Sequence, residues 1–346
     1  MAGPVIPTEP GAPRIRIGMV GLGSIAERIY LPLLTRDERL EVVGLVSRRT
    51  EVLTAQARRY RVPAAGTDLD ALLAVAPEVV FIHASTHAHP GLVRRCLQAG
   101  VHVYVDKPLA YDLGTAQELA ALADRHGRLL AVGFNRRFAP TYLAARDWLT
   151  EVGGPELIVA GKHRAAVHEQ NARTAVFDDL IHLLDLLTWF SDAELDLTDA
   201  QLQVDAEGRF LLAVGGTHPA GVTGPLGRFA MCRTAGADTE EIALHGHGRS
   251  AHLMGLESGH LQDHTGTRMI GTAPWEPVAT RRGFTGLLDA VLAGVQNPAG
   301  CGVAAARVLG AHRLAERILQ SPDPLWRTRR SATPSSTCSQ SSQAPS

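Results

Sequence analysis

The chain has 346 residues, of which 45% are hydrophobic and 20% charged, and its formal net charge is −1. This length predicts about two domains, the balanced charge excludes a basic nucleic-acid surface, and no run of about 18 apolar residues is present to span a membrane. The N-terminal sequence lacks the basic region and apolar core of a signal peptide, and the four cysteines lack C-x-x-C spacing, so we expect a cytoplasmic protein with reduced thiols.

The Pro- and Gly-rich residues 1–13 predict a disordered leader, and residues 14–34 then predict a buried strand that turns directly into a helix. In that turn two glycines and an alanine have the spacing of the dinucleotide fingerprint G-x-G-x-x-G/A. The first glycine allows a tight turn, the second lets a pyrophosphate approach the backbone, and the alanine lets the helix pack closely on the strand. N–H groups at the helix start face the anion. The residues expected to contact the dinucleotide here are Gly21, Gly23, Ser24, Ile25 and Ala26.

Residues 40–46 predict a second strand, and the residues after it indicate which dinucleotide is bound. A site that prefers NAD places an acidic residue about 20 residues beyond the fingerprint to hold the ribose 2′-hydroxyl. This chain has Ser47, Arg48 and Arg49 there. Serine and arginine can hydrogen-bond and neutralise a 2′-phosphate, so the sequence favours NADP(H) over NAD(H). The alternative is that the arginines form a solvated turn before the next helix.

Strands and helices alternate up to residue 135, which predicts a Rossmann-type parallel sheet over residues 14–135. The predicted helices are 50–60, 69–74, 89–99 and 114–126, and the further predicted strands are 78–85, 101–105 and 129–135. Ligands of such sheets bind at the carboxyl ends of the strands. Ser85, Thr86 and His89 follow one of these ends and are therefore expected near the dinucleotide, although a histidine at a helix start also suits a purely structural role.

The sequence Asp106-Lys107-Pro108 follows the next strand end. Of the 34 basic residues only Lys107 and Lys162 are lysine. A compact lysine ammonium can polarise a carbonyl, and the pKa of the ammonium can shift on burial. A guanidinium cannot easily do either. We therefore expect Lys107 to act beside the nicotinamide, with Asp106 also near the cofactor. The alternative for Lys107 is a surface lysine that closes a strand. Lys162 either reaches the same cleft or occupies a plain surface position on its strand.

From residue 136 several strands follow one another, which predicts an α+β domain over residues 136–322 with a large, mostly antiparallel open sheet. The predicted strands are 156–163, 200–205, 209–215, 227–233, 240–245 and 249–254, and the predicted helices are 139–151, 175–190, 284–294 and 302–319. The Ser-rich residues 323–346 predict a disordered tail.

The helix 175–190 carries polar residues within an otherwise apolar sequence. Asp178 and His182 are four residues apart and are expected on one face, with Asp185 one turn beyond His182. A histidine with a carboxylate neighbour is suited to proton transfer near neutral pH. Together with a dinucleotide and Lys107, this pair would complete a dehydrogenase site.

A group of histidines lies between residues 245 and 264. Within it, His245 and His247 share one face of a predicted strand. No acidic or cysteine cluster accompanies them. We therefore expect ordinary sheet and loop residues here rather than a metal site.

These motifs together resemble the glucose-fructose oxidoreductase/inositol dehydrogenase (Gfo/Idh/MocA) family. The resemblance runs from about residue 14 to about residue 320 and rests on G-L-G-S-I-A at 21–26, D-K-P at 106–108, G-F-N-R-R-F-A-P at 133–140 and D-D-L-I-H-L-L-D at 178–185. It implies a Rossmann domain followed by an α/β domain whose open sheet often forms homodimers or homotetramers. It also implies that Lys107, Asp178 and His182 act on a sugar- or cyclitol-like alcohol or ketone between the domains. Asp106 stands where the family usually has glutamate.

The resulting hypothesis is an NAD(P)-dependent oxidoreductase acting on a small molecule, with no nucleic-acid or membrane partner. His182 would exchange the proton with the substrate oxygen, Lys107 would stabilise negative charge there, and Asp178 would orient His182 or bind a neighbouring hydroxyl. Two alternatives use the same features: reduction of a C=N bond in a biosynthetic intermediate, and a non-catalytic NADP(H)-binding sensor.

Overall fold

The computed structural model describes residues 13–221 and 223–321. The predicted tail, 323–346, and all but the last residue of the predicted leader, 1–13, lie outside the described residues. Within them, no helix combines the length and apolar character needed to cross a membrane.

The first sheet has six parallel strands in the order β3-β2-β1-β4-β5-β6, which confirms the Rossmann-type prediction. The strands are β1 (Ile15–Val20), β2 (Leu40–Val46), β3 (Ala64–Gly66), β4 (Val79–Ile82), β5 (His102–Val105) and β6 (Leu130–Val132). The helices around them are a π-helical segment (Ala26–Tyr30), α1 (Leu31–Arg36), α2 (Thr50–Tyr60), α3 (Leu69–Ala74), α4 (His89–Gln98) and α5 (Leu113–His126). The strand order reverses between β1 and β4, and this reversal opens the crevice where such sheets bind ligands. The sequence analysis missed β3 because its three residues, Ala-Ala-Gly, carry no apolar pattern.

The second sheet has eight strands in the order β14-β13-β12-β11-β7-β10-β9-β8, and every neighbouring pair except β7 with β10 is antiparallel. The strands are β7 (Leu157–His163), β8 (Leu195–Val204), β9 (Phe210–Pro219), β10 (Leu226–Cys232), β11 (Thr239–Gly246), β12 (Arg249–Met254), β13 (Ser258–Asp263) and β14 (Gly266–Gly271). The helices are α6 (Pro140–Thr150), α7 (Ala172–Ala175), a π-helical segment (Val176–Leu180), α8 (Ile181–Ser191), α9 (Val278–Arg281), α10 (Phe284–Gln296) and α11 (Ala305–Gln320). The mostly antiparallel sheet confirms the predicted fold class.

The edge strand β14 and its neighbour β13 were not predicted. Their sequences, SGHLQD and GTRMIG, contain few apolar residues, and β14 is almost entirely exposed. Strand pairing, of β13 with β12 and of β14 with β13, therefore defines them more than an apolar pattern does.

The C-terminal helices join the two sheets. On α10, Leu288 and Leu292 are buried in the same core cluster as Ile17 and Met19 of β1. The backbone N–H of Val132 on β6 donates to the carbonyl of Val303 at 2.9 Å, and α11 packs against both α5 and α8. Residues that the sequence analysis assigned to the second domain thus complete the first one.

Candidate active site

Two adjoining cavities lie at the carboxyl ends of the parallel strands. The first, of about 710 Å³, is lined by the fingerprint turn and by the residues that follow β2. The second, of about 590 Å³, lies between the two sheets and contains Lys107, Asp178 and His182. His83 and Ser85, which follow β4, line both cavities. The two spaces therefore form one elongated cleft.

The fingerprint turn has the backbone geometry that its glycines predict. Gly21 has a φ of +90°, and a Cβ there would lie 2.5 Å from the amide nitrogen of Ala84. A Cβ at Gly23 would have nothing closer than 3.8 Å, so the backbone at this position is open to the cavity. Ala26 is fully buried against the sheet. The helix that follows begins directly after this open backbone, and the free N–H groups of a helix N-terminus bind anions.

The three residues after β2 have different surroundings. The Arg49 guanidinium donates to the carbonyl of Leu22 and pairs with Glu27 at 3.0 Å. Ser47 is buried, and its Oγ accepts the N–H of Arg49 at 3.2 Å. Arg48 is exposed and makes no hydrogen bond or ion pair with residues 13–221 or 223–321. Arg49 thus braces the fingerprint turn, while the guanidinium of Arg48 remains available.

At the wall of the second cavity, the buried His83 and the partly exposed Asp106 form a pair. The Nδ1 of His83 lies 2.8 Å from one carboxylate oxygen of Asp106, and the hydroxyl of Tyr104 donates to the other at 3.2 Å. Burial raises the pKa of Asp106, but the charge and hydrogen bond of His83 outweigh it and the net pKa is lowered. Both ring nitrogens of His89 contact backbone carbonyls, those of Pro108 at 2.8 Å and Ala84 at 3.1 Å. Asp106 and His89 therefore brace the loops around the cleft.

The three predicted catalytic residues come together in the second cavity. Lys107 donates to the backbone carbonyl of Asp178, and the carboxylate of Asp178 accepts the hydroxyl of Tyr111 at 2.9 and 3.0 Å. His182 is 6% exposed, and its Nδ1 has no hydrogen-bond partner among the described residues. Burial and the nearby cations, led by Arg136, lower the pKa of His182 well below its ordinary value. The imidazole is therefore neutral at pH 7.

No hydrogen bond joins Asp178 to His182 in the part of the chain that the structure describes, which corrects the expectation that this carboxylate orients the imidazole through direct contact. The cause is local. Residues Val176–Leu180 form a π-helical turn, called the π-turn below. Its hydrogen-bonded ring contains one more residue than that of an α-helix, so the relative directions of the two side chains differ from those in a regular α-helix, although both line the second cavity.

Several residues in or beside the site were given no definite role from the sequence. Tyr111 follows Lys107 by four residues, in a loop without periodicity. Arg136, inside the G-F-N-R-R-F motif, makes a bidentate pair with Glu240, with its Nη2 at 2.8 Å. Lys162, which the sequence left undecided, is 1% exposed and pairs with Asp179. Only the fold brings these distant residues together.

Other polar residues in the sequence have structural partners. Asp185 is buried and bidentate with Arg137, at 2.6 and 2.8 Å, so it anchors α8 and does not face the cleft. His245 bonds to Ser250 at 2.9 Å across the β11–β12 pair. Among residues 13–221 and 223–321, no group of three or more histidine, cysteine, aspartate or glutamate side chains is arranged to hold a metal ion.

Comparison with known proteins finds relatives along most of the chain. A profile described as an oxidoreductase family with an NAD-binding Rossmann fold matches residues 15–134, and a YceM-like C-terminal domain profile matches residues 140–264. The putative oxidoreductase YceM of Salmonella typhimurium is 31% identical over 314 residues, covering 90% of this chain and 97% of that protein. The chain belongs to the Gfo/Idh/MocA family of oxidoreductases.

Two further relatives of this Gfo/Idh/MocA protein have informative names. A crystal structure of a Gfo/Idh/MocA oxidoreductase from Vibrio cholerae is 31% identical, has a TM-score of 0.78, and covers 88% of this chain and 97% of that one. The inositol 2-dehydrogenase of Salmonella typhimurium is 29% identical over 182 residues, covering 51% of this chain and 54% of that protein.

As a member of the family the protein is an NAD(P)-dependent oxidoreductase. The residues present fit this cofactor. The tight turn at Gly21, the open backbone at Gly23 and the helix start after it suit a dinucleotide phosphate chain. The guanidinium of Arg48, which has no partner among the described residues, suits a 2′-phosphate. When bound, the nicotinamide supplies or accepts a hydride.

Proposed function

We propose that this oxidoreductase transfers a hydride between the nicotinamide of NADP(H) and the carbon of a secondary alcohol or ketone in a sugar- or cyclitol-like small molecule. The proposal rests mainly on one observation. Lys107, Asp178 and His182 line a cavity that adjoins the cleft of the dinucleotide fingerprint. Such a cavity offers a cation, a carboxylate and a neutral imidazole to a substrate beside the nicotinamide.

Each side chain has a role that follows from its surroundings. The neutral imidazole of His182 accepts the proton of an alcohol when the substrate is oxidised and returns a proton to the oxygen when it is reduced. Lys107 stabilises negative charge that develops on that oxygen. The carboxylate of Asp178, held by Tyr111, accepts a hydrogen bond from a neighbouring hydroxyl. These roles suit a polyhydroxylated substrate, and the inositol 2-dehydrogenase relative supports this class.

The preference for NADP(H) is carried by Arg48. It is the arginine after β2 whose guanidinium has no partner among the described residues, whereas Arg49 is engaged by Leu22 and Glu27. A 2′-phosphate beside Arg48 would gain a charge-assisted hydrogen bond. A site that prefers NAD has an acidic residue at the end of the second strand to bind the ribose 2′-hydroxyl, but this chain has Ser47 and Arg48 there.

The nucleotide preference is tested by measuring the dissociation constants of NADPH and NADH through energy transfer from tryptophan. In wild-type protein we expect tighter binding of NADPH, and in Arg48→Glu a loss of at least tenfold for NADPH with little change for NADH. Arg58→Glu is the matched control because it makes the same charge change on the exposed side of α2. Equal loss for both nucleotides in Arg48→Glu would contradict the 2′-phosphate role.

The reaction is tested by screening ketoses, cyclitols, nucleotide sugars and imines with NADPH and NADP⁺. Turnover of an alcohol or ketone, reduced at least a hundredfold in His182→Ala, is the expected result. Full turnover in His182→Ala would remove the proton-transfer role, and turnover of imines alone would replace the proposed substrate class.

We also propose that the protein is a cytoplasmic homodimer or homotetramer that associates through the open face of the second sheet. Large apolar side chains on these strands are exposed, namely Val159, Leu226, Met254 and Met269, and such patches mark association surfaces. Three cysteines, Cys96, Cys232 and Cys301, are free thiols, as expected in a reducing compartment. Sedimentation equilibrium measures the mass, and a monomer at micromolar concentration would contradict the proposed assembly.

A further inference from the structure

The two lysines of this chain meet at the π-turn. Lys107, just after β5 of the first sheet, donates to the backbone carbonyl of Asp178. Lys162, on β7 of the second sheet, donates to the carbonyl of the next residue, Asp179, at 3.2 Å and also pairs with its carboxylate. Two ammonium groups from different sheets thus bind consecutive carbonyls of the segment that leads into His182.

A π-helical turn is an uncommon conformation that requires support. π-helical turns are rare and usually occur as a single turn inside an α-helix, often at functional sites. If the π-turn relaxed to α-helical geometry, the residues before it would rotate relative to those after it. Asp178 and His182 would then change their relative directions. The support for the π-turn therefore controls how these two side chains face the substrate.

An ammonium suits this task better than a guanidinium. It is compact and has three donors that are not fixed in a planar fork, so Lys162 can bind the carbonyl and the carboxylate of one residue. Every other Lys/Arg position in the chain except Lys107 is arginine. The side chain of Lys162 is also nearly completely buried, which excludes a role as a solvated strand residue.

We propose that Lys162 is a positioning residue of the active site, which together with Lys107 holds the π-turn in the geometry that directs His182 toward the substrate. Lys162 does not line the cavity, so it acts through the backbone of Asp179. This inference rests on the proposed role of His182, and its test includes a measurement that does not depend on turnover.

The Lys162→Met variant is expected to fold. The carboxylate of Asp179 retains Arg233 at 2.9 Å and Arg164 at 3.8 Å, so removal of Lys162 leaves no unpaired buried charge. Replacing a buried charge by an apolar side chain of similar length is then tolerated. Lys162→Gln, which keeps a neutral donor, provides a second variant. Arg164→Met is the matched control, because it removes one cation from the same carboxylate without removing a bond to the π-turn backbone.

The first measurement is amide hydrogen exchange over residues 176–184. We expect exchange at least tenfold faster in Lys162→Met, intermediate exchange in Lys162→Gln, and wild-type exchange in Arg164→Met, with dissociation constants for NADPH within twofold of wild type. With the substrate found by screening, kcat should fall at least tenfold in Lys162→Met and less than threefold in Arg164→Met.

The outcomes separate this inference from the proposed function. Wild-type exchange and kcat in Lys162→Met would overturn the positioning role, as would equal losses in Lys162→Met and Arg164→Met. If His182→Ala keeps full turnover, the proposed function fails, whereas faster exchange confined to residues 176–184 of Lys162→Met would still support the role of Lys162 in holding the π-turn.

Discussion

His312 makes the stability of this protein dependent on pH in a way that can be worked out from the structure. It lies on α11 with no exposed surface, and its Nε2 accepts the backbone N–H of Leu109 at 3.1 Å, two residues after Lys107. Burial lowers the pKa of His312 to about 4. Between pH 6.5 and 4 the unfolded chain therefore binds a proton that the folded chain does not, and stability is lost as the pH falls through this window. At about 1.4 kcal/mol per pKa unit, the loss by pH 4.5 is roughly 2 to 3 kcal/mol.

The perturbation is His312→Gln, which keeps an acceptor for the N–H of Leu109 but cannot titrate. The variant loses the ring packing against Phe134 and Phe177, so we expect it to be about 1 to 2 kcal/mol less stable than wild type at pH 7.5. This difference should shrink on acidification and reverse near pH 4.5, because only wild type carries the His312 proton linkage. Other buried histidines are common to both proteins, so their contributions cancel in the difference.

The assay is urea unfolding monitored by tryptophan fluorescence at pH 7.5, 6.5, 5.5 and 4.5. His126→Gln is the control, since it makes the same substitution at an exposed position on α5. A constant difference between wild type and His312→Gln over the whole range would refute the reasoning, because it would mean that His312 has the same pKa in both states.

Three further predictions concern the nucleotide cleft, the second cavity and the support of α8. In Gly21→Ala the new Cβ would lie 2.5 Å from the backbone of the β4 loop, so affinity for NADPH should fall at least tenfold; Gly127→Ala, also at positive φ but in open space, should bind normally. Tyr111→Phe removes the hydrogen bonds to the Asp178 carboxylate, worth about 1.5 kcal/mol, so kcat should fall roughly tenfold while the affinity for NADPH stays unchanged. An unchanged kcat would show that Asp178 does not need this support. Arg137→Met should lower the free energy of unfolding by about 3 to 5 kcal/mol, because it leaves Asp185 buried without its partner. In urea unfolding, the double variant with Asp185→Leu should recover most of this loss. A double variant as unstable as the single one would contradict the unpaired-charge explanation.

The fingerprint and five of the six strands of the first sheet were predictable because both depend on local sequence. The tight turn at Gly21 needs a positive φ, and this requirement appears in the sequence as a glycine at a fixed distance from an apolar strand. Lys107 was predictable for a similar reason, since the end of a parallel strand is the ligand edge of such a sheet. The combination of Lys107 with Asp178 and His182 was inferred from their chemistry, and the resemblance to the family added that they act on a substrate between the domains.

The distant contacts were not predictable, because one sequence does not show which residues meet. The separate surroundings of Arg48 and Arg49 depend on Glu27, which lies 22 residues before Arg49. The hydroxyl of Tyr111 meets Asp178 across 67 residues. The edge strand β14 and its neighbour β13 were missed because pairing rather than an apolar pattern defines them.

The sequence by itself determined that a dinucleotide fold with a lysine at its ligand edge is followed by a helix carrying a histidine and carboxylates. Only the tertiary structure decided how these parts are directed. The helical spacing of Asp178 and His182 implied one shared face, and both line one cavity. The sequence did not show that two ammonium groups from different sheets bind the carbonyls of a π-turn next to them. A periodic pattern reports which side chains a regular helix presents, whereas a local departure from that helix depends on partners that the fold supplies.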